Sequence, residues 1–199
     1  MSCYTAAMHH GKLFLIVGPS GSGKGTAIVQ LKKQHPDYVF PVSCTTRTPR
    51  PGEKEGEVYS YVSKAQFREW IAQEKFLEYA QVHSDNYYGI LKAPIEEALA
   101  AGKVVVREVD IQGFKSVTSL LPRKKVVGIF LLVKDPGELR ERILKRGVLP
   151  EEELARRLES ARREVAQMEL CDYQIESRFG EAMKVVEEIE KIIEKEVMM

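Results

Sequence analysis

Apolar residues arrive in short blocks, each closed by glycine, proline or charge. Lys12–Val17 (KLFLIV) is an apolar run that stops at a glycine and reads as a buried strand. Residues 26–34 read as a helix that ends before Pro36, and residues 39–42 as a second short strand. Residues 45–61 are rich in Pro, Gly and charge, which predicts loop and turn with short strand pieces. Ser63 with Gln66 three places on is a capping-box start for a helix over 64–74. Phe76–Val82 reads as a strand, residues 86–89 as a turn, residues 94–101 as a helix stopped by Gly102, and Val104–Val109 as a β-branched strand. Residues 126–133 (VVGIFLLV) are the most apolar stretch and suit the centre of a parallel sheet. Helices are predicted over 137–146, 151–168 and 181–197; the last repeats Met183, Val186, Ile189, Ile193 and Val197 at helical spacing. Strands alternating with helices predict an α/β fold with a mainly parallel sheet.

Composition narrows the class. The chain has 199 residues, 44% hydrophobic and 30% charged, the mix of a globular protein with one core. Thirty Lys and Arg against 29 Asp and Glu give a net charge of +1, which argues against coating nucleic acid or an anionic membrane. No apolar run approaches the roughly 18 residues a membrane span needs, and the first ten residues lack a signal-peptide pattern. Three scattered cysteines (Cys3, Cys44, Cys171) suggest neither a metal site nor a disulfide framework. A reducing, cytoplasmic compartment is therefore expected. The charge is uneven: residues 12–54 carry seven basic residues against two acidic ones, a basic third suited to small anions.

The sharpest motif is Gly18-Pro19-Ser20-Gly21-Ser22-Gly23-Lys24-Gly25-Thr26, directly after the first strand and opening the first helix. Glycines let main-chain N–H groups turn inward around an oxyanion, the helix N-terminus adds partial positive charge, and Lys24 adds a full one. These nine residues form a candidate nucleoside triphosphate site, and the loop alone does not separate a kinase from a GTPase or an ATPase. Gly25 stands where such loops usually carry Ser or Thr, and Thr26 comes one place later, which weakens the case for a direct hydroxyl–magnesium bond. No Asn-Lys-x-Asp element of a GTPase is present.

Further along, Ser43-Cys44-Thr45-Thr46-Arg47-Thr48-Pro49-Arg50-Pro51-Gly52-Glu53, then Phe76-Leu77-Glu78-Tyr79-Ala80, Asn86-Tyr87-Tyr88-Gly89 and Glu108-Val109-Asp110-Ile111-Gln112-Gly113 follow in order. With the phosphate loop, these resemble guanylate kinases from about Gly11 to the end. The resemblance implies a P-loop kinase core with a mainly parallel five-stranded sheet flanked by helices. It places the core at about 11–41, 94–135 and 167–199, a GMP-binding region at about 42–93, and a lid at about 136–166, after a ten-residue tail. It implies transfer of the γ-phosphoryl group of Mg-ATP to GMP, with dGMP as a further acceptor. ATP and GMP would be its partners and Mg2+ its cofactor.

The resemblance also assigns residues. Arg47, Arg50, Tyr59 and Tyr88 would hold the acceptor phosphate; forked guanidinium groups grip a phosphate bidentately, as lysine cannot. Glu53 belongs to the same acceptor segment. Glu78 would read the base, since a carboxylate accepts both the N1–H and the 2-amino group of guanine, while adenine offers neither. Ser43, Glu108 and Asp110 also face the acceptor nucleotide. Arg142 falls at the ATP site, and Arg146 and Arg157 on the lid, with Lys24 and Arg47 as the remaining catalytic cations. Arg162 and Arg163 read instead as surface partners of nearby glutamates. Thr26 and Asp110 are the candidate magnesium contacts, through water.

Three positions break the pattern. Ile90 stands where the family usually has Ser or Thr; Ile175-Glu176-Ser177-Arg178 replaces its usual Val-Asn-Asp-Asp; and Arg107 interrupts an apolar strand. Two other readings stay open: a sugar-phosphate kinase of the same fold, and a non-catalytic phosphopeptide-binding module. Glu78 and the Thr-Thr-Arg-Thr-Pro-Arg run count against the first, and the intact phosphate loop with its lysine against the second.

Overall fold

The computed structural model describes residues 11–50, 52–57, 59–82, 85–145, 147 and 149–198. Four parallel strands make the central sheet: β1 (Lys12–Val17), β6 (Val104–Val109), β7 (Val126–Leu132) and β8 (Tyr173–Glu176), in the order β6-β1-β7-β8. Alternation along β1 explains the layers. Leu13, Leu15 and Val17 face one side, packed with Ile95 and Leu99 of α3 (Lys92–Ala100) and Phe114 and Val117 of α4 (Ile111–Leu120). Phe14 and Ile16 face the other, against Ala27 and Leu31 of α1 (Lys24–Gln34) and Val186, Ile189 and Ile193 of α7 (Ala182–Met198). Each such buried side chain contributes about 1.5–3 kcal/mol, so the strand ends that carry the site rest on a rigid base.

A second sheet, in the order β3-β2-β5-β4, is built from β2 (Ser43–Thr45), β3 (Tyr59–Tyr61), β4 (Phe76–Val82) and β5 (Asn86–Leu91). It packs on α2 (Lys64–Ala72) through Phe67, whose ring stacks on Phe76 at 4.2 Å. Ser63 caps α2, its side chain accepting from Gln66 N. The region anticipated as a lid carries α5 (Pro136–Leu144) and α6 (Glu151–Val165), joined by their own small apolar cluster of Leu139, Ile143, Leu154 and Ala161.

Several expectations need correction. The fifth strand is reduced to a single bridge, Val39 to Val105, with Val39 N donating to Val104 O and Val106 N to Val39 O, both at 2.9 Å. Pro41 has no N–H with which to extend that ladder. Residues 86–89 are strand, not turn: Asn86 to Leu91 pair antiparallel with β4, and the reversal precedes them, with Asp85 at φ 66°. α4 and β8 were not anticipated. α4 holds a glycine and three β-branched residues in ten, and Asp110 is its N-cap, accepting from Gly113 N at 2.7 Å. β8 is a four-residue edge strand with too little sequence to show a period.

Candidate active site

The phosphate loop sits where β1 meets α1. Gly18, Gly21 and Gly23 have φ of 142°, 88° and 96°, a region that side chains with a Cβ rarely adopt. Gly23 supplies no side-chain cap to α1, so the helix N-terminus opens into the loop. Lys24 Nζ donates to Gly18 O and, at 2.9 Å, to Pro19 O. Ser22 is fully buried, and its Oγ has no hydrogen-bond partner among the described residues.

The parallel register between β1 and β6 pairs Ile16 with Glu108 and Val17 with Val109. Glu108 therefore stands beside the loop, its Oε2 3.7 Å from where a Cβ on Gly25 would lie. Asp110, two residues on, spends one oxygen on capping α4. Thr26 lines the cavity beside the phosphate loop and Asp110 the cavity around Glu78. No three His, Cys, Asp or Glu side chains cluster as a metal site among the described residues. The geometry fits a cation held chiefly by nucleotide phosphates, with Glu108 a carboxylate beside the loop that would reach it through water.

The acceptor arm is a network around Glu53. Arg47 Nη2 donates to both Glu53 oxygens, at 3.0 and 2.9 Å, and its Nη1 to Thr48 O at 2.8 Å. Glu53 Oε2 also accepts from Arg50 N at 2.7 Å and from the Tyr61 hydroxyl at 2.8 Å. Those bonds, the Arg50 N–H first, hold its carboxyl at about 2. Arg47 lies over the Tyr59 ring at 5.5 Å, and Tyr59 meets Tyr88 edge-on at 5.6 Å. Arg47, Tyr59 and Tyr88 are thus together, with the exposed Arg50 on the same loop. An ionised Glu53 repels a phosphate, so its part is to hold Arg47. Tyr61, which sequence reasoning missed, completes the clamp.

Beside this arm lies a cavity of about 350 Å³ lined by Ser43, Glu78, Tyr88, Ile90, Asp110 and Gly113, among others. The β4–β5 register shifts between Phe76 and Glu78, and such an irregularity re-aims the side chains around it. Burial pushes the Glu78 carboxyl up; Arg107 opposes the rise and Asp110 adds to it. Glu78 reaches the first turn of α4, where a Cβ on Gly113 would lie 2.7 Å from its Oε2.

A second cavity, of about 230 Å³, adjoins the phosphate loop and is lined by Gly21, Gly23, Thr26, Arg142, Ser177 and Phe179, among others. Arg142 forms its wall, donating to Ser177 Oγ at 3.0 Å, to Ser177 O at 2.8 Å and to Glu138. Phe179 is 59% exposed, with Lys145 Nζ 3.9 Å from its ring centre. An exposed aromatic face beside the loop suits a stacked base.

Comparison with known proteins identifies the family. Residues 10–196 match the family model described as Guanylate kinase. The chain belongs to the guanylate kinase family. A guanylate kinase of Clostridioides difficile is 41% identical over 189 residues, covering 94% of this chain and 88% of that protein. One of Carboxydothermus hydrogenoformans is 40% identical over 170 residues, covering 84% and 81%. A crystal structure of guanylate kinase from Anaplasma phagocytophilum superposes with a TM-score of 0.73 at 27% identity, covering 96% of this chain and 88% of that one.

Arg157 donates Nε to Glu153 Oε1 at 2.8 Å, so its cation rests on its own helix. Arg146, expected as a second lid cation, lies outside the described residues. Glu176, in the segment that departs from the family pattern, is bound by Arg178 and Lys134, which hold its carboxyl at about 2; its neighbour Ser177 binds Arg142. Sequence reasoning also missed Glu164. Burial raises its carboxyl while Lys24 opposes the rise, and its Oε2 has no hydrogen-bond partner among the described residues. The only sequence hint was a glutamate on the inner side of a helix otherwise laced with Glu–Arg pairs. No described helix is long and apolar enough to cross a membrane.

Proposed function

We propose that this guanylate kinase family member transfers the γ-phosphoryl group of ATP, carried with Mg2+, to GMP, yielding ADP and GDP. One observation carries the reading: the end of β6 serves both pockets. Glu108 stands at the phosphate loop, while Asp110 and the following turn of α4 wall the Glu78 cavity. Two anions seated there meet across three residues of one strand end.

The chemistry asks for little covalent work. A phosphate oxygen of GMP attacks the γ-phosphorus, the bond to the β–γ bridging oxygen breaks, and ADP leaves. No general base is required, because a phosphate monoester is already a dianion near neutral pH. The protein aligns the two groups and offsets their charge. Lys24 and the loop amides hold the donor. Arg47, Arg50, Tyr59 and Tyr88 hold the acceptor phosphate, and Glu78 with Ser43 reads the base. Arg146 and Arg157 close over the transferring group, and Arg142 shapes the donor pocket. Magnesium, bound with the phosphates, supplies further charge neutralisation. Without substrates two of the cations rest on stand-ins: Lys24 on loop carbonyls and Arg157 on Glu153. Substrate binding exchanges these for phosphate oxygens.

The test is a coupled ADP-release assay with GMP, dGMP, AMP and ribose phosphates as acceptors. Turnover with GMP far above AMP and the ribose phosphates supports the proposal. Turnover with a ribose phosphate alone, or none with any acceptor, refutes it.

A further inference from the structure

Arg107 is a cation in the middle of a core strand, flanked by Val106 and the parallel partner Leu15. Its guanidinium reaches out of the core into the acceptor region. Nη1 donates to Pro41 O and Nη2 to Ser43 Oγ, each at 2.6 Å. Nε is buried without a hydrogen-bond partner among the described residues. Desolvating a guanidinium while leaving one donor unmet is costly. A leucine or valine would sit in this strand without that cost, so stability alone does not account for the residue.

The bond to Ser43 has a directional consequence. A hydroxyl has one hydrogen and two lone pairs. Arg107 donates into a lone pair, so the hydrogen of Ser43 is left to be given elsewhere. Nothing among the described residues accepts it, and Ser43 lines the 350 Å³ cavity. A cation bonded to the oxygen also strengthens the hydroxyl as a donor. Ser43 thus has its hydrogen to give into the pocket, while Glu78 is an acceptor facing the same space. Guanine carries the complement: an acceptor at its 6-oxo group beside donors at N1 and the 2-amino group. Adenine carries a 6-amino donor there, which cannot accept the Ser43 hydrogen. Ile90 lines the cavity with no hydrogen-bonding side-chain group, so it does not share the task.

We propose that Arg107 is a specificity-determining positioning residue, holding the Ser43 hydroxyl so that it donates to the 6-oxo group of the acceptor purine. The proposal rests on GMP being the acceptor. Arg107 does not touch the nucleotide; it acts through Ser43.

The experiment compares GMP with 6-thio-GMP, whose sulfur is a weaker hydrogen-bond acceptor, in the wild type, Arg107→Met, Arg107→Lys, Ser43→Ala and the double variant Ser43→Ala/Arg107→Met. The wild type prefers GMP. In Arg107→Met, KM for GMP rises about 10- to 100-fold, the range for losing a hydrogen bond involving a charged group. KM for ATP stays unchanged, and the preference for GMP over 6-thio-GMP collapses to within about threefold of unity, below one ordinary hydrogen bond. Ser43→Ala gives the same loss, and the double variant loses no more than either single one. Arg107→Lys, which keeps one donor, restores part of the preference. Should Arg107→Met fail to fold, Ser43→Ala and Arg107→Lys decide in its place. The proposal is overturned by a GMP preference undiminished in Ser43→Ala or in Arg107→Met. It is equally overturned by losses that fall alike on GMP, 6-thio-GMP and ATP. A wild type that fails to phosphorylate GMP refutes the parent reading instead, so the two failures are distinct.

Discussion

Replacing Gly113 by alanine isolates the base pocket from the rest of the enzyme. Gly113 lies in the first turn of α4, where an added Cβ would stand 2.7 Å from Glu78 Oε2, 3.1 Å from Val109 Cβ and 3.4 Å from Asp110 Oδ1. Ordinary contact begins at 3.4 Å, so the Glu78 carboxylate must retreat by about 0.7 Å. Displacements approaching 1 Å at a reacting or recognition group cost on the order of 10²-fold, so kcat/KM for GMP should fall roughly 10- to 100-fold. Folding should hardly notice. Alanine in a helix interior gains about 0.5–1 kcal/mol over glycine, which offsets the slight crowding of Val109. The melting temperature should therefore move by no more than about 2–4 °C, the shift expected for about 1 kcal/mol in a chain this size. The assay is steady-state ADP release at saturating ATP with GMP varied, beside a thermal melt. An unchanged kcat/KM for GMP, with the fold intact, would refute the claim that Glu78 reads the base from this position.

Other outcomes follow from the same geometry. Lys24→Ala should lower kcat by about 10²-fold or more while GMP affinity stays within a few-fold, because Lys24 belongs to the donor loop; equal losses in both would contradict the assignment. Glu78→Gln should weaken the preference for GMP over AMP by roughly 10- to 100-fold, the value of one charge-assisted bond, read from the two kcat/KM values. Burial raises the Glu78 carboxyl above its ordinary value, and base reading needs its ionised form, so kcat/KM for GMP should fall as the pH drops through that raised value. Glu53, held at about 2, keeps its grip on Arg47 through that interval and releases it only as the pH falls from about 4.5 toward 2. In Glu78→Gln that acid limb should therefore be absent from a pH–rate profile. Burial raises the thiols of Cys44 and Cys171, the latter to about 12, so both should resist alkylation at pH 8 until the chain unfolds, as peptide mapping would show.

Much of this was legible in the chain because local chemistry and tertiary role coincide there. The run from Gly18 to Thr26 needs its glycines for the turn and its lysine for the anion, and β1 before it is apolar because it is buried on both faces. The Arg47–Glu53 segment carries its own clamp within seven residues. What stayed hidden depends on partners far away in sequence. That Asp110 also caps a helix is hidden until α4 is seen to start there, and residues 86–89 read as a turn until β4 is seen to pair with them. Val39 carries one bridge because Pro41 ends the ladder, which no hydrophobic run reveals. Arg107 and Glu164 were visible only as breaks in a pattern; their partners lie at Ser43, 64 residues back, and beside Lys24.

The central claim is that both nucleotides sit in the protein at once and the phosphoryl group passes directly between them. An initial-rate matrix with ATP and GMP both varied tests it most directly. Double-reciprocal lines that intersect are predicted, since transfer needs both substrates bound. Parallel lines would mean a phosphorylated enzyme that forms before GMP arrives, and would contradict the account.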